Sequence, residues 1–200
     1  MNHVIIFAHP QQSLNQTLLD LVVSTLLNNG HKVTVRDVYA LGFSPELTIA
    51  EKAAIKCGDV PIAIQREQTL IQQADVLTFI FPIWWTGLPA MLKGYVERVF
   101  SEGFAYQTNE DGEIENLLRH KKGVIINTHD APRTFLDSNL SFTSSHHMTT
   151  DTEVFNFIGV QPVERLLFSS MEQASADYIH EILKETKETV DQLFPAGCLT

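Results

Sequence analysis

Cysteine is scarce in this 200-residue chain, and so is positive charge. Cys57 and Cys198 lie far apart outside any C-x-x-C pattern, which argues against a disulfide scaffold or a zinc knuckle. The 14 Lys and Arg residues are outnumbered by 24 Asp and Glu residues, and the formal net charge is -10. Because such a chain repels a phosphate backbone, we expect no nucleic-acid partner.

Long apolar runs are absent as well. No stretch reaches the roughly 20 apolar residues that a membrane-spanning helix needs. A strand-like run follows Met1 without the basic and apolar segments of a signal peptide, so we expect a cytoplasmic protein without membrane insertion. The composition, with 44% hydrophobic and 19% charged residues, is typical of a globular protein, and the length suits a single domain over residues 1–200.

Strand and helix patterns alternate along the chain. Strands are predicted for residues 3–8, 31–37, 75–81, 123–128 and 163–169. The first, third and fourth of these are nearly continuous apolar runs, as strands covered on both faces of a parallel sheet require. The second alternates polar and apolar residues, which predicts an edge strand. This pattern predicts an α/β fold with a doubly wound, five-stranded parallel sheet and helices on both faces.

Helical patterns fill the intervals between these strands. Apolar residues recur at helical spacing from Leu14 onwards, and Gly30 supplies a residue that ends a helix in the left-handed conformation. Residues 46–74 predict one or two polar helices, broken near Gly58 and Pro61. Ligands of such folds bind in the crevice at the carboxyl ends of the strands, so the loops there are the candidates for chemistry.

The polar loop after the first predicted strand leads into a helix N-terminus. Unpaired backbone N–H groups and the helix dipole favour an anion there, which predicts a phosphate site with His9, Ser13 and Asn15 as hydrogen-bonding side chains. Ser13 and Gln16 also match an S-x-x-Q capping box, so a helix cap and a ligand contact are both open for Ser13. The loop lacks the G-x-x-x-x-G-K-[ST] and G-x-G-x-x-G motifs, which argues against nucleotide hydrolysis and Rossmann-type dinucleotide binding.

Two adjacent tryptophans follow the third predicted strand. Trp84 and Trp85 lie near Pro82 and Pro89 on a strand-to-helix turn. Such a turn offers a flat apolar platform together with backbone amides that suit a planar ring. A Trp-Trp pair taken alone is more typical of a protein core, but its place at the predicted crevice favours an aromatic cofactor.

These loops resemble those of the flavodoxin-like NAD(P)H quinone oxidoreductases, which include the mammalian DT-diaphorase type and bacterial modulator-of-drug-activity enzymes. The matching segments are residues 8–10, 13–15, 81–94, 97–100 and 104–106. In outline the resemblance covers the chain from its start to about residue 168. It implies a flavodoxin-like fold with the strand order 2-1-3-4-5.

The resemblance also implies an enzyme that passes electrons from NAD(P)H through a bound flavin to quinone-like, azo or nitroaromatic acceptors. It favours FAD, with FMN as the alternative, and implies a homodimer with two flavin sites at its interface. Phe104 and Tyr106 would lie on the substrate side. By the resemblance, residues 9, 14 and 15 would bind the phosphate region of the flavin and residues 83–86 would line its ring. Together with the loop residues weighed on their own chemistry, the predicted flavin-binding residues are His9, Ser13, Leu14, Asn15, Gln16, Pro82, Ile83, Trp84, Trp85, Thr86, Asn127, Thr128, His129 and Asp130.

The chain departs from this family after the fourth predicted strand. The family commonly has Thr-Thr-Gly-Gly there, whereas this chain has Asn127, Thr128, His129 and Asp130. The bulkier His129 and Asp130 must change the wall of the pocket. A protonated His129 would offset the negative charge of a reduced flavin, which makes it the candidate catalytic residue. The alternative is an exposed loop histidine without such a role.

The sequence also suggests a metal site and two alternative functions. His146 and His147 suggest a metal, but adjacent residues point in different directions and no acidic or Cys partner has ligand spacing, so we expect no metal site. An electron carrier like flavodoxin is one alternative function. The other is a regulatory subunit that binds a transport system, as some proteins resembling this family do with potassium-efflux systems.

Overall fold

Parallel strands build the centre of the molecule. The computed structural model describes residues 1–132, Thr134 and residues 152–197. The strands of the main sheet are β1 (Asn2–Phe7), β2 (Lys32–Asp37), β3 (Val76–Pro82), β6 (Lys122–Thr128) and β7 (Gln161–Phe168). They are all parallel and lie in the order β2-β1-β3-β6-β7. Counted within this sheet, the order is the predicted 2-1-3-4-5, and β2 lies at the predicted edge.

Helices cover both faces of the sheet, as predicted. They are α1 (Leu14–Asn28), α2 (Ile49–Lys56), α3 (Ile62–Gln73), α4 (Ala90–Val99), α5 (Thr152–Ile158) and α6 (Ala176–Leu193). Alternate residues of β1 face two separate apolar cores. Val4 and Ile6 pack into the core beneath α3, α4 and α5, whereas Ile5 and Phe7 pack into the core beneath α1 and α6. This two-sided burial explains why the strand is apolar at successive positions.

A short hairpin was not predicted from the sequence. Its strands are β4 (Tyr106–Thr108) and β5 (Ile114–Asn116), which pair antiparallel outside the main sheet. The connecting loop is closed by the side-chain oxygen of Asn109, which accepts hydrogen bonds from the backbone N–H groups of Asp111 and Glu113. Gly112 in this loop has a φ of 82°, a conformation that favours glycine. The adjacent Asp-Gly pair is the turn signal that would have indicated the hairpin.

Partly buried ion pairs join α3 to the sheet and α4 to α2. Arg36 of β2 donates to both carboxylate oxygens of Glu67 in α3, and the hydroxyl of Tyr95 in α4 donates to Glu67 at 2.9 Å. Burial and the neighbouring Glu67 raise the pKa of Tyr95 well above its ordinary value, so Tyr95 stays protonated as a donor. Arg98 of α4 donates to both carboxylate oxygens of Glu51 in α2, at 2.6 and 2.7 Å.

His3 is a buried titratable group near the amino end of the sheet. Its ring packs edge-on against His31, with ring centroids 5.0 Å apart, and against Phe194, with centroids 4.7 Å apart. Among the residues that the structure describes, neither ring nitrogen of His3 has a hydrogen-bond partner. Burial, followed by the charges of His31 and the chain's amino group, lowers the pKa of His3 from 6.5 to about 4, against an opposing effect of Asp75. His3 is therefore neutral at pH 7.

We expect mild acid to destabilise the fold through His3. The imidazole gains a proton near pH 6.5 in the unfolded chain but only near pH 4 in the folded one, so its contribution is complete above pH 6.5 and falls below it. This loss amounts to about 2 kcal/mol between pH 7 and pH 5. His3→Phe should remove it, as measured by urea denaturation at several pH values, and the exposed His180→Gln should not. The same pH dependence in wild type and His3→Phe would contradict this assignment.

Candidate functional site at the carboxyl edge of the sheet

The three loops predicted from the sequence as candidates for chemistry lie at one edge of the sheet. The register pairs Phe7 of β1 with Ile80 of β3, and Pro82 of β3 with Thr128 of β6, so the three strands end close together. The loops that follow them are the first loop (residues 8–13), the tryptophan loop (residues 83–89) and the histidine loop (residues 129–132). The predicted segments therefore lie together at the edge where the strand pattern predicts a ligand crevice.

Thr128 is the junction of these segments. Its carbonyl oxygen accepts a hydrogen bond from the backbone N–H of Ile83 at 2.8 Å. Its hydroxyl oxygen accepts one from the side-chain Nδ2 of Asn15, also at 2.8 Å. Asn15 and Thr128 are each only 4% exposed. A single buried threonine thus joins β6, the start of the tryptophan loop and the first turn of α1.

Buried oxygen atoms at this junction lack hydrogen-bond partners. They are Ser13 Oγ, Asn15 Oδ1 and Asn127 Oδ1, none of which is bonded to a residue within the described ranges. Leaving such an atom unpaired costs roughly 1–3 kcal/mol. Folded proteins therefore pair nearly all of them, and three on neighbouring segments indicate that a bound molecule or ordered water supplies the donors.

The N-terminus of α1 is open to an anion. Ser13 is the residue before the helix, but its side chain forms no cap hydrogen bond. The capping-box interpretation is wrong, because Gln16 instead donates from Nε2 to Asp20 Oδ1 at 2.9 Å. No acidic residue occupies the first turn of α1. The helix dipole and the first backbone N–H groups are therefore not offset by a carboxylate of that turn.

His9 lies between the first loop and the tryptophan loop. Its Nδ1 atom is 2.8 Å from the carbonyl oxygen of Gln11, and its ring centroid is 6.0 Å from that of Trp84. His9 and Trp84, which were both predicted to border the crevice, therefore lie close together. Because Nδ1 is occupied by the backbone, Nε2 is the ring atom of His9 that would serve a phosphate.

The tryptophan loop contains a strained two-residue turn. Trp84 and Gly87 exchange backbone hydrogen bonds of 3.2 and 2.9 Å. Between them Trp85 and Thr86 have φ values of 49° and 65°, in the left-handed region that β-branched residues rarely occupy. Trp85 is 99% exposed and Trp84 39% exposed, so neither is a core residue. Strain of this kind persists where the surrounding structure imposes it, and it clusters at functional sites.

The backbone amides of this loop are only partly available to a ligand. Ile83 donates its N–H to Thr128, and Trp84 donates its N–H to Gly87. Ile83 and Pro82 are buried at the base of the loop. Of the segment predicted to line a planar ring, the amides of Ile83 and Trp84 are therefore already bonded, and the indole rings are the exposed surface.

The histidine loop presents a neutral ring. The backbone N–H of His129 donates to the carbonyl of Phe168 at 2.8 Å, and its Nδ1 accepts a hydrogen bond from the N–H of Ala131 at 2.7 Å. A nitrogen that accepts carries no proton, so the proton of the neutral ring is on Nε2. Burial lowers the pKa of His129 below its ordinary value, against an opposing effect of Asp130. This direction favours the neutral ring at pH 7 in the ligand-free protein, and the role of a protonated His129 beside a reduced flavin stays a prediction.

Tyr106 lines a different cavity. This cavity of about 1010 Å³ lies between α2, the end of α4 and α5, and none of its lining residues belongs to the three loops. The ring of Tyr106 packs against that of Phe157, with centroids 4.8 Å apart. Phe104 packs against the core beneath α3 and α4. Within this chain, Tyr106 is thus grouped with α2 and α5 rather than with the predicted flavin-binding loops.

In the described part of the chain, no three His, Cys, Asp or Glu side chains form a group that would hold a metal ion. His146 and His147 lie outside the described residues, so the prediction about them stays a prediction. Within the same described ranges, no helix has both the length and the apolar character needed to cross a bilayer.

Comparison with known proteins defines the class. A family model described as flavodoxin-like fold matches residues 1–193. This chain belongs to that family, and the predicted fold is confirmed.

Individual relatives narrow the resemblance. A Haemophilus influenzae protein named an NAD(P)H oxidoreductase is 36% identical over 174 residues, which cover 86% of this chain and 85% of the relative. NAD(P)H dehydrogenase [quinone] 1 of Cavia porcellus is 37% identical over 121 residues, covering 52% of this chain but only 44% of that protein. The crystal structure of Smu.1420 from Streptococcus mutans UA159 superimposes with a TM-score of 0.83 at 29% identity, covering 96% of this chain and 100% of that one. The group of proteins recognised from the sequence is confirmed.

The strained turn gives a prediction about stability. Thr86→Asn should raise the free energy of unfolding by about 1 kcal/mol, because asparagine tolerates the left-handed conformation better than threonine does. Urea denaturation of the ligand-free protein measures the change. The matched control is Thr108→Asn in β4, where extended backbone favours threonine and the substitution should not stabilise. Equal losses of stability in both variants would show that Thr86 is not strained.

Proposed function

We propose that this chain is an NAD(P)H oxidoreductase that binds a flavin at the carboxyl edge of its sheet and reduces quinone-like acceptors, including azo and nitroaromatic compounds. The observation that carries the proposal is the set of buried, unpaired oxygens on Ser13, Asn15 and Asn127. A flavin has the hydroxyl and ring N–H donors that the amide oxygens of Asn15 and Asn127 lack, and a phosphate that can accept a hydrogen bond from Ser13 at the N-terminus of α1. The names of the relatives describe the same class of reaction.

The residues divide between the two ends of the cofactor. Ser13, His9 and the first N–H groups of α1 would hold the phosphate, with Leu14 and Gln16 in the same turn. The exposed rings of Trp84 and Trp85 would cover the flavin ring and exclude water from it. Asn127, Thr128 and the histidine loop would hydrogen-bond its polar edge. These assignments follow from the position of each residue at the edge of the sheet.

A bound flavin supplies the hydride and electron chemistry of such enzymes, so the protein's part is to hold the reactants. Neutral His129 carries its proton on Nε2, where it acts as a hydrogen-bond donor rather than as a cation. Asp130 is exposed beside it. His129 would therefore orient an oxygen of the flavin or of the acceptor.

We propose FAD as the flavin, with FMN as the alternative. The segment from His9 to Gln16 contains no Lys or Arg, so the phosphate would be bound by neutral donors and the helix dipole. Such a site accepts the phosphate of either cofactor. The resemblance of residues 13–15 to enzymes of the DT-diaphorase type favours FAD.

We propose further that the protein acts as a homodimer. If Tyr106 faces a substrate bound at the three loops, as the resemblance implies, those loops belong to a second subunit, since Tyr106 lines a separate cavity. The exposed apolar residues Ile49 and Phe157 line the same cavity, and so do Lys52 and Glu97. Charges of both signs on one patch suit a two-fold interface, in which each patch meets its own copy.

The first prediction concerns the flavin itself. The purified protein should bind FAD or FMN, NAD(P)H should bleach the bound flavin in the absence of oxygen, and a quinone should restore its colour. Absorbance spectroscopy and mass identification of the released compound measure these outcomes. A protein that binds neither flavin would refute the proposed function. A bound flavin that NAD(P)H leaves oxidised would instead favour an electron carrier.

Ser13 provides a sharper test of the phosphate site. Ser13→Ala should weaken flavin binding up to about tenfold, because a hydrogen bond worth roughly 1 kcal/mol is lost. The free energy of unfolding of the ligand-free protein should not fall, because this hydroxyl forms no cap bond. The control is Ser24→Ala, in which an exposed hydroxyl of the same helix is removed. If Ser13→Ala lowers stability and leaves affinity intact, Ser13 is a helix cap after all.

A charged residue placed in the proposed interface tests the homodimer. Ile49→Lys should convert the dimer to a monomer and abolish quinone reduction, because a lysine at the interface would be desolvated. Light scattering after size-exclusion chromatography measures the mass. Leu27→Lys, at an exposed apolar position of α1, is the matched control and should remain dimeric. A monomeric wild-type protein with full activity would refute the dimer.

A further inference from the structure

We infer that Asn15 is a positioning residue, which fixes the hydroxyl group of Thr128 and through it the start of two of the loops at the site. This inference rests on the proposed function, because the loops are the proposed flavin-binding segments. It assigns Asn15 a task distinct from contact with a phosphate.

The environment of Asn15 is costly for stability alone. Its side chain is 4% exposed, its Nδ2 donates to Thr128 Oγ1 at 2.8 Å, and its Oδ1 has no partner among the described residues. Burying an amide with one polar atom unpaired is unfavourable, and an apolar side chain would avoid that penalty. A purely structural role therefore does not explain asparagine at this position.

Thr128 controls where two loops begin. It pairs in register with Pro82, which has no backbone N–H to donate. The next residue, Ile83, therefore makes the bond from β3 to β6 at this end, with its N–H 2.8 Å from the carbonyl oxygen of Thr128. Beyond this point the chain enters the tryptophan loop on one side and the histidine loop on the other. A displacement of Thr128 would move both.

The hydrogen bond from Asn15 also sets the direction in which Thr128 can donate. A threonine hydroxyl has one hydrogen and accepts through its lone pairs. Because Thr128 accepts from Asn15, its own hydrogen is left for another acceptor, and an oxidised flavin ring presents acceptors at its polar edge. Asn15 thereby keeps Thr128 available as a donor in the site. Without Asn15 the hydroxyl is free to rotate.

A double-mutant cycle tests this link. Asn15→Leu and Thr128→Val should each weaken FAD and FMN binding by about tenfold, and the double variant should be weakened by clearly less than the roughly hundredfold loss expected of independent changes, because all three lack the same bond. Thr128→Ser retains the hydroxyl and should rescue binding. Thr25→Val, which removes a buried hydroxyl elsewhere in α1, should leave the affinity unchanged. Quenching of flavin fluorescence measures each affinity.

A second readout separates positioning from simple support of the fold. The midpoint potential of the bound flavin should become more negative in Asn15→Leu and Thr128→Val alike, because a hydroxyl donor stabilises the charge that the ring gains on reduction. Additive losses of affinity in the double variant, or unchanged potentials, would overturn the inference while leaving flavin binding intact. Failure of the wild-type protein to bind either flavin would overturn the proposed function and this inference together.

Discussion

The parallel pairing of β1, β3 and β6 brings Phe7 level with Ile80 and Pro82 level with Thr128. Parallel strands all run the same way, so each chain leaves the sheet at the same edge and returns through a helix on one of its faces. Segments more than 100 residues apart, such as those carrying Asn15 and Thr128, are hydrogen-bonded there. The site exists because of this register, since a slip of one residue would exchange the faces of every side chain on the strand.

Strained and unpaired groups lie at this edge, and ion pairs lie behind it. The left-handed Trp85 and Thr86 and the unpaired oxygen of Ser13 border the crevice. The helices behind it are held by bidentate ion pairs, in which Arg36 meets Glu67 and Arg98 meets Glu51. A rigid scaffold is what allows a strained loop to persist, because the surrounding contacts over-determine its conformation. This division is what a binding site on a preorganised framework requires.

Local patterns predicted the main elements well. The strands of the centre are apolar at successive positions because both faces are buried, which is a signal that short-range sequence carries. Breaks near Gly58 and Pro61 separate α2 from α3 as expected, since these residues interrupt helices. The hairpin of β4 and β5 was missed because its strands have three residues each and little apolar alternation. The formation of such a short hairpin depends on its Asp-Gly turn and on packing against the rest of the protein.

The sequence by itself determined the class of fold, the edge at which the candidate site lies and most of the residues that border it, because buried strands and the polar loops after them are local features. The tertiary structure alone decided which contacts those residues make. Ser13 resembles a cap but makes no cap bond, and His129 is neutral because burial lowers its pKa. Tyr106 faces α5 rather than the loops. Hydrogen bonds, burial and pKa values depend on neighbours that are distant in the chain, and no local pattern encodes them.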